Sequence, residues 1–545
     1  MRARYAIRTP EEVHRRRWWT LAVLCAALTV IGVDNTILNV AVPSIVRELG
    51  ARGSQLSWVI DAYTIVFACL LLTAGATGDR FGRKPTLALG LVVFAGCSLL
   101  AASASSPETL IVARGLMGIG GALIFPTTLS ILTNTFTGHE RARAIGIWAG
   151  VTGIGVAIGP LAGGILLEHY WWGSVFFVNV PVCIATLIAV HYVVPNSRNP
   201  ERHPLDLLGA ALSIVGLVGL LYGIIAAPDH GWGSPTVLTA FSVAFVFLTL
   251  FVLRELHTEH PMLQLRFFRN PRFSAASATI TLAYFALFGS TFLLTQYFQF
   301  VLGYSPLESG FMTAAVAIGV MIVAPQAPKL VVHWGTKRVV VLGLAIVAAG
   351  LALYSSDTVM SSTVGGWLAR LFYGAGLGLT TAPATESIMG SLPPGNAGVG
   401  SAVNDTTRQT GGALGVAVLG TIVATRFHQH FVGAASHLPA KVTAAAKDSV
   451  GKAMGVAGAL PTALGNQVRA IATQAFVDST RVAYLAASAV VLVALLVAWK
   501  WLPARPQSDE EIDAELAAQA EPGSTPPLDE RPQAPLIPPR RYSST

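Results

Sequence analysis

Apolar runs of about twenty residues recur along the whole chain, parted by short polar segments, and each is long enough to cross a bilayer core as a helix. Fourteen such runs lie near 18–42, 56–76, 85–104, 109–133, 143–167, 174–194, 207–227, 236–254, 274–300, 308–330, 338–356, 363–389, 398–425 and 482–502. The run that begins at Trp18 is too long for the core of a signal peptide and ends at no clear cleavage site, so it reads as a retained first span. The pattern predicts an all-α membrane protein with a short N-terminus, 1–17, and six spans over 18–194. A linker with two inserted spans follows over 195–273, then six more spans over 274–502. Within that last part, 426–480 reads as one long external loop whose Ala-rich stretches form short surface helices. The tail, 503–545, is rich in Pro, Asp and Glu, and disorder is expected there.

Loop charges orient the chain. Arg15 to Arg17, Arg80, Arg83, Lys84, Arg141, Arg143, Arg198, Arg202, Arg266, Arg269, Arg272, Lys337 and Arg338 all fall on one side of this scheme. The opposite short loops hold little beyond Arg47 and Arg52. The positive-inside tendency then places both termini in the cytoplasm of a cell inner or plasma membrane.

Composition agrees. Charged residues make up 12% of the 545 and hydrophobic ones 53%, whereas soluble domains carry about 25% charged residues. The net charge of +8 belongs to the loops and not to a basic face or arm, so nucleic acid is not an expected partner. The four cysteines, Cys25, Cys69, Cys97 and Cys183, lie in apolar runs without metal-ligand spacing. No metal or cofactor is expected.

The chain repeats itself. The segment Ala113 to Gly120, with Arg114, lines up with Ala369 to Gly376, with Arg370, at an offset of 256. The same offset carries Gly155 to Gly411, Gly159 to Gly415 and Gly164 to Gly420. Spans one to six therefore match spans nine to fourteen. Two parallel six-helix bundles with a site between them near the midplane form a transporter architecture.

The loop after span two reads Gly75-Ala76-Thr77-Gly78-Asp79-Arg80-Phe81-Gly82-Arg83-Lys84. It resembles the G-x-L-x-D-R-x-G-R-K signature of the major facilitator superfamily, departing only at Thr77. Span one holds Asp34-Asn35-Thr36-Ile37-Leu38-Asn39-Val40-Ala41-Val42-Pro43, and span five holds Gly155, Gly159, Pro160, Gly163 and Gly164. Both are similar to motifs of the fourteen-span drug:proton antiporter branch (EmrB/QacA type), as are Phe177 to Pro181 and Ser401 to Gln409. The resemblance covers about residues 18–502. It implies a major facilitator fold of two six-helix bundles plus two inserted helices, a proton-transfer role for Arg114, and a span five that seals against leak. The residues themselves support this. Gly75 and Gly82 permit close approach and a sharp turn. Asp79 suits the positive end of a neighbouring helix, and with Arg80 and Arg83 it forms a charge cluster fit for a cytoplasmic gate. Gly155, Gly159 and Gly163 bare one helix face, and Pro160 allows a kink.

Ionisable groups inside spans are costly and mark function. Asp34 in span one is the first candidate for proton coupling, with Arg114 in span four as the group that tunes it. Asp34, Asp61 in span two and Glu386 in span twelve are candidates for binding a lipophilic cation. Glu386 has Ser130 as its repeat mate, so it is not shared scaffold. Asp405 and Arg408 stand three residues apart on one helix face, and mutual neutralisation is the expectation. Arg370 opens its span and is expected to reach external water, in a structural role.

There is no G-x-x-x-x-G-K-[ST] segment for a nucleotide-driven pump and no H-E-x-x-H for an intramembrane zinc protease, so an enzyme is not expected. The reading is a secondary transporter, expected as a monomer, that exchanges protons for amphipathic, cationic drugs or antibiotics across the lipid bilayer. The alternatives are a facilitator, or a dedicated exporter of one endogenous metabolite, on the same scaffold.

Overall fold

The computed structural model describes residues 10–50, 53–198, 205–259, 261–358, 363–392 and 396–504. The N-terminal residues 1–9 and nearly all of the predicted tail lie outside the described residues.

Every predicted apolar run is helical, and among the described residues there is no strand. The first part of the chain forms α1 (Pro10–Leu49), α2 (Gly53–Phe81), α3 (Arg83–Ala102), α4 (Pro107–Thr135), α5 (Gly138–His169), the one-turn α6 (Ser174–Phe177) and α7 (Asn179–Val193). Then come α8 (Leu207–His230) and α9 (Pro235–His257), which pack on each other. The last part forms α10 (Pro271–Gln296), α11 (Pro306–Val323), α12 (Ala327–Trp334), α13 (Thr336–Tyr354), α14 (Thr363–Met389), α15 (Ala397–Ala434), α16 (Ala440–Ala446), α17 (Val450–Ala459) and α18 (Thr462–Trp501). Eleven of these helices are long and apolar enough to cross a membrane, or twelve if α11 and α12, bent by 52° at their junction, form one crossing. The helices α5 and α14 are outside that number.

Local signals explain several boundaries. Ser106 caps α4 by accepting from the Thr109 amide at 3.2 Å, with Pro107 at the first helical position. Ser305 and Glu308 form a reciprocal capping box at the start of α11. Gly82, at φ 109°, makes the turn between α2 and α3.

The segment expected as a long loop over 426–480 is mostly helix. The helix α15 continues to Ala434, α16 and α17 follow, and α18 begins at Thr462. The Ala-rich composition favours helix continuation past the apolar run. At 40 residues, α18 is about 60 Å long, roughly twice a hydrocarbon core.

The repeat is visible in the packing. In the first part α1 packs on α5, α2 on α4 and α3 on α4. In the last part α10 packs on α15, α11 on α14 and α13 on α14. The glycines at the 256-residue offset do equivalent work. A Cβ on Gly155 would meet Gly32 of α1 at 2.8 Å, and one on Gly159 would strike Thr36. A Cβ on Gly411 would strike Thr281 of α10, and one on Gly415 would strike Phe285. The two sets meet along α2 against α15 and α5 against α11, with α4 touching α15 and α5 touching α14.

Candidate functional site

Two polar centres sit inside the helical body, with a closure below them. The first is built on α1, α4 and α7. Asp34 is fully buried. Its Oδ2 accepts from Arg114 Nη1 at 2.5 Å and its Oδ1 accepts from Asn179 Nδ2 at 3.0 Å. Arg114 Nε donates to the Val59 carbonyl of α2 at 3.1 Å. The guanidinium lies over the Tyr63 ring at 4.4 Å and the Phe176 ring at 5.8 Å. Both charges are thus paired, hydrogen-bonded and stacked, which is what a buried ion pair requires to persist. The helix α1 is held in place by the bare face of α5. Besides Gly155 and Gly159, a Cβ on Gly163 would meet Ile37 at 2.9 Å. Gly164 points elsewhere, toward Leu307 of α11 at 3.8 Å. The Pro160 side chain lies outside the described residues.

The sequence candidates Asp34 and Arg114 therefore form one unit. Asp34 has no exposed surface, so in this conformation it faces Arg114 and Asn179 and not a bound molecule. Asp61 lies two residues beyond Val59 on α2 and is partly exposed. Asn179 went unassigned in the sequence, although a lone amide in an apolar run was a signal.

The closure lies at the end of the molecule that carries the basic loops. Asp79 Oδ1 accepts from Arg83 Nε at 2.9 Å and Nη2 at 2.7 Å. The same carboxylate accepts from the backbone amides of Gly398 at 3.0 Å and Val399 at 3.2 Å, in the first turn of α15. It therefore joins the two parts of the chain through the positive end of a helix. Gly75 has no room for a Cβ, because Gly398 and Ala402 press against it. Arg80 is half-buried, with its guanidinium 5.2 Å from the Phe81 ring. Nearby, Arg141 of α5 donates from Nε to Glu386 Oε1 of α14 at 2.9 Å and pairs through Nη2 at 2.8 Å. Glu386, a candidate for binding a lipophilic cation, forms one side of this tie. A sequence separation of 245 hid its partner.

The second centre corrects two further expectations. Asp405 and Arg408 are both buried, and no ion pair forms between them among the described residues. Arg408 Nη2 donates to Thr385 Oγ1 at 2.9 Å. Its guanidinium lies 4.9 Å from the Trp148 ring of α5 and 5.0 Å from the Tyr284 ring of α10. Asp405 Oδ1 accepts from Asn404 Nδ2 at 3.0 Å. Helical spacing put the two on one face, but tertiary neighbours drew the arginine away. Arg370 is likewise buried and does not reach water. It pairs with Asp357 at 3.4 Å and lies over Phe298 at 4.6 Å and Tyr354 at 5.5 Å.

Comparison with known proteins agrees with this architecture. The family described as Major Facilitator Superfamily matches residues 24–416. The multidrug efflux pump LfrA of Mycolicibacterium smegmatis is 34% identical over 490 residues, covering 89% of this chain and 95% of its own. The tetracenomycin C resistance and export protein of Streptomyces glaucescens is 34% identical over 518 residues, covering 93% and 95%. Among solved structures, the proton:xylose symporter XylE superposes with a TM-score of 0.60 at 13% identity, over 92% of this chain and 99% of that one. At that identity the likeness is one of fold.

Proposed function

The chain belongs to the major facilitator superfamily, and on that premise we propose that it is a proton-coupled exporter of amphipathic drugs or antibiotics, cationic ones included, working by alternating access. The observation that carries this is the buried Asp34–Arg114 pair. A carboxylate sealed from water and held by one guanidinium has two stable arrangements: ionised and paired, or protonated and released. Protonation would free Arg114, leaving it on the Val59 carbonyl and the Tyr63 ring. Because α1 is clamped to α5 and α5 abuts α11, a shift of α1 would reach the interface between the two parts of the chain.

In this reading the closure at the basic end seals the cytoplasmic side. Asp79 on the α15 amides and Arg141 on Glu386 would then have to part for substrate to enter from within. Asp61, partly exposed on α2, is the carboxylate offered to a cation. Two six-helix bundles, two inserted helices and fourteen crossings with both termini cytoplasmic complete the scheme, with α5 and α14 supplying the crossings beyond those apolar enough by composition.

The test is drug-driven proton movement in proteoliposomes. Asp34→Asn should abolish it. Full export by that variant, or export unchanged after the pH difference and voltage are both collapsed, removes the mechanism. A second reading, export of a single compound, is favoured by the similarity to the tetracenomycin C resistance and export protein of Streptomyces glaucescens. Efflux from a susceptible host across a panel of cationic, neutral and anionic drugs separates the two.

A further inference from the structure

Among the described residues four arginines are buried, and three of them meet a carboxylate: Arg83 with Asp79, Arg114 with Asp34 and Arg370 with Asp357. The fourth, Arg408, does not, although Asp405 lies three residues away on the same helix. Arg408 is 3% exposed and spends only Nη2 on a protein acceptor, Thr385. Its Nε and Nη1 have no partner, and neither does Asp405 Oδ2. Buried polar groups in folded proteins are almost always satisfied, and an orphan group calls for an explanation. A guanidinium has five donors in a rigid fork that suits planar oxygen acceptors.

The surroundings supply a second, independent observation. The guanidinium sits between Trp148 of α5, in the first part of the chain, and Tyr284 of α10, in the last part. Trp148 is itself held, donating from Nε1 to Thr128 Oγ1 of α4 at 3.1 Å. The centre therefore spans the interface at which transporters of this architecture hold their cargo. It is one level in from the closure: Trp148 is two helical turns along α5 from Arg141, about 10 Å. Any change of angle between the two parts would separate at least one ring from the guanidinium and leave an aromatic face open beside the unpartnered Nε and Nη1.

We propose that Arg408 is a specificity-determining substrate contact: Nε and Nη1 take a carbonyl or anionic oxygen of a flat aromatic molecule, whose ring stacks on Trp148 or Tyr284. The guanidinium is positive and carries donors only, so the acceptor oxygen is neutral or negative. This rests on the exporter reading and extends the cargo beyond cations to planar, oxygen-bearing compounds.

The experiment is equilibrium binding to the purified full-length protein in lipid nanodiscs, followed by tryptophan fluorescence. The probes are anthraquinone-2-carboxylate, which is flat and rich in acceptor oxygens, and ethidium, a flat cation with no oxygen. The expected result is that Arg408→Gln weakens the anthraquinone by at least tenfold and ethidium by less than twofold. Arg408→Lys keeps the charge but not the fork, and should also weaken the anthraquinone selectively. Equal loss of both probes in the well-folded lysine variant would assign Arg408 to scaffold and overturn the proposal. So would an unchanged anthraquinone affinity, or no anthraquinone binding by the unsubstituted protein. No gradient is involved, so failure of proton coupling at Asp34 leaves this test intact, and the reverse also holds.

Discussion

Arg141 and Glu386, far apart in sequence, meet at 2.8 Å and tie α5 to α14 at the basic end of the molecule. Both side chains are partly exposed, at 24% and 20%, so solvent screens the pair and its direct worth is about 1 kcal/mol or less. Its consequence is conformational. Glu386→Gln should shift the protein toward opening at this end and change export several-fold with little change in melting temperature. Exchanging the two residues, Arg141→Glu with Glu386→Arg, should restore export toward the original level. A double-mutant cycle on efflux rates reads the coupling; simple additivity would mean the tie has no role in the cycle.

Asn179 should prove as necessary to Asp34 as Arg114 is. Asn179→Leu leaves Asp34 Oδ1 without its donor, a cost of roughly 1–3 kcal/mol. Arg114→Gln strands a buried carboxylate, at a cost of about 3–5 kcal/mol. Melting temperature should therefore fall less for the first than for the second, while both lose drug-driven proton movement. Retained proton movement in Asn179→Leu would make that amide a packing residue only.

The glycine face of α5 sets how closely α1 can lie. A Cβ at Gly159 would strike Thr36, two residues from Asp34. Gly159→Ala should destabilise the protein by about 1–3 kcal/mol through overpacking, and should reduce export more than Gly164→Ala, which has Leu307 at an ordinary 3.8 Å. Thermal unfolding and efflux of the two variants, side by side, check this.

Glu140, in the first turn of α5 and ahead of the apolar run at 143–167, accepts from Arg17 Nε at 2.7 Å and Nη2 at 2.8 Å. The hydrogen bonds from Arg17 hold its carboxyl below the usual range. A carboxyl lowered in the folded state adds stability above its unfolded pKa and loses it as pH falls through the folded value. The unsubstituted protein should be the more stable near pH 7, and its margin over Glu140→Gln should shrink as pH falls below the ordinary glutamate range and vanish in stronger acid. Melting curves against pH decide it, and a margin that grows in acid would contradict the pairing.

Much of the candidate site is legible in the sequence. Asp34 and Arg114 stood out because a charge inside an apolar run is costly wherever the helix packs. Asp79 was readable because its glycines and arginines come as one local cluster. Glu386 and Arg408 were visible as charges, yet their neighbours were not. Arg141 counts among the loop charges, nothing in the sequence marks Trp148 or Tyr284, and helical spacing offers Asp405 as the partner of Arg408.

Helix positions, the internal repeat and the identity of the buried charges follow from the sequence, because apolar runs, caps and i-to-i+4 spacing act over a few residues. That Glu386 meets Arg141, and that Arg408 turns to Thr385 and two rings and not to Asp405, followed only from the tertiary structure. Those choices depend on the rotation and depth of helices up to hundreds of residues apart, and a helix turned by one residue offers a different face.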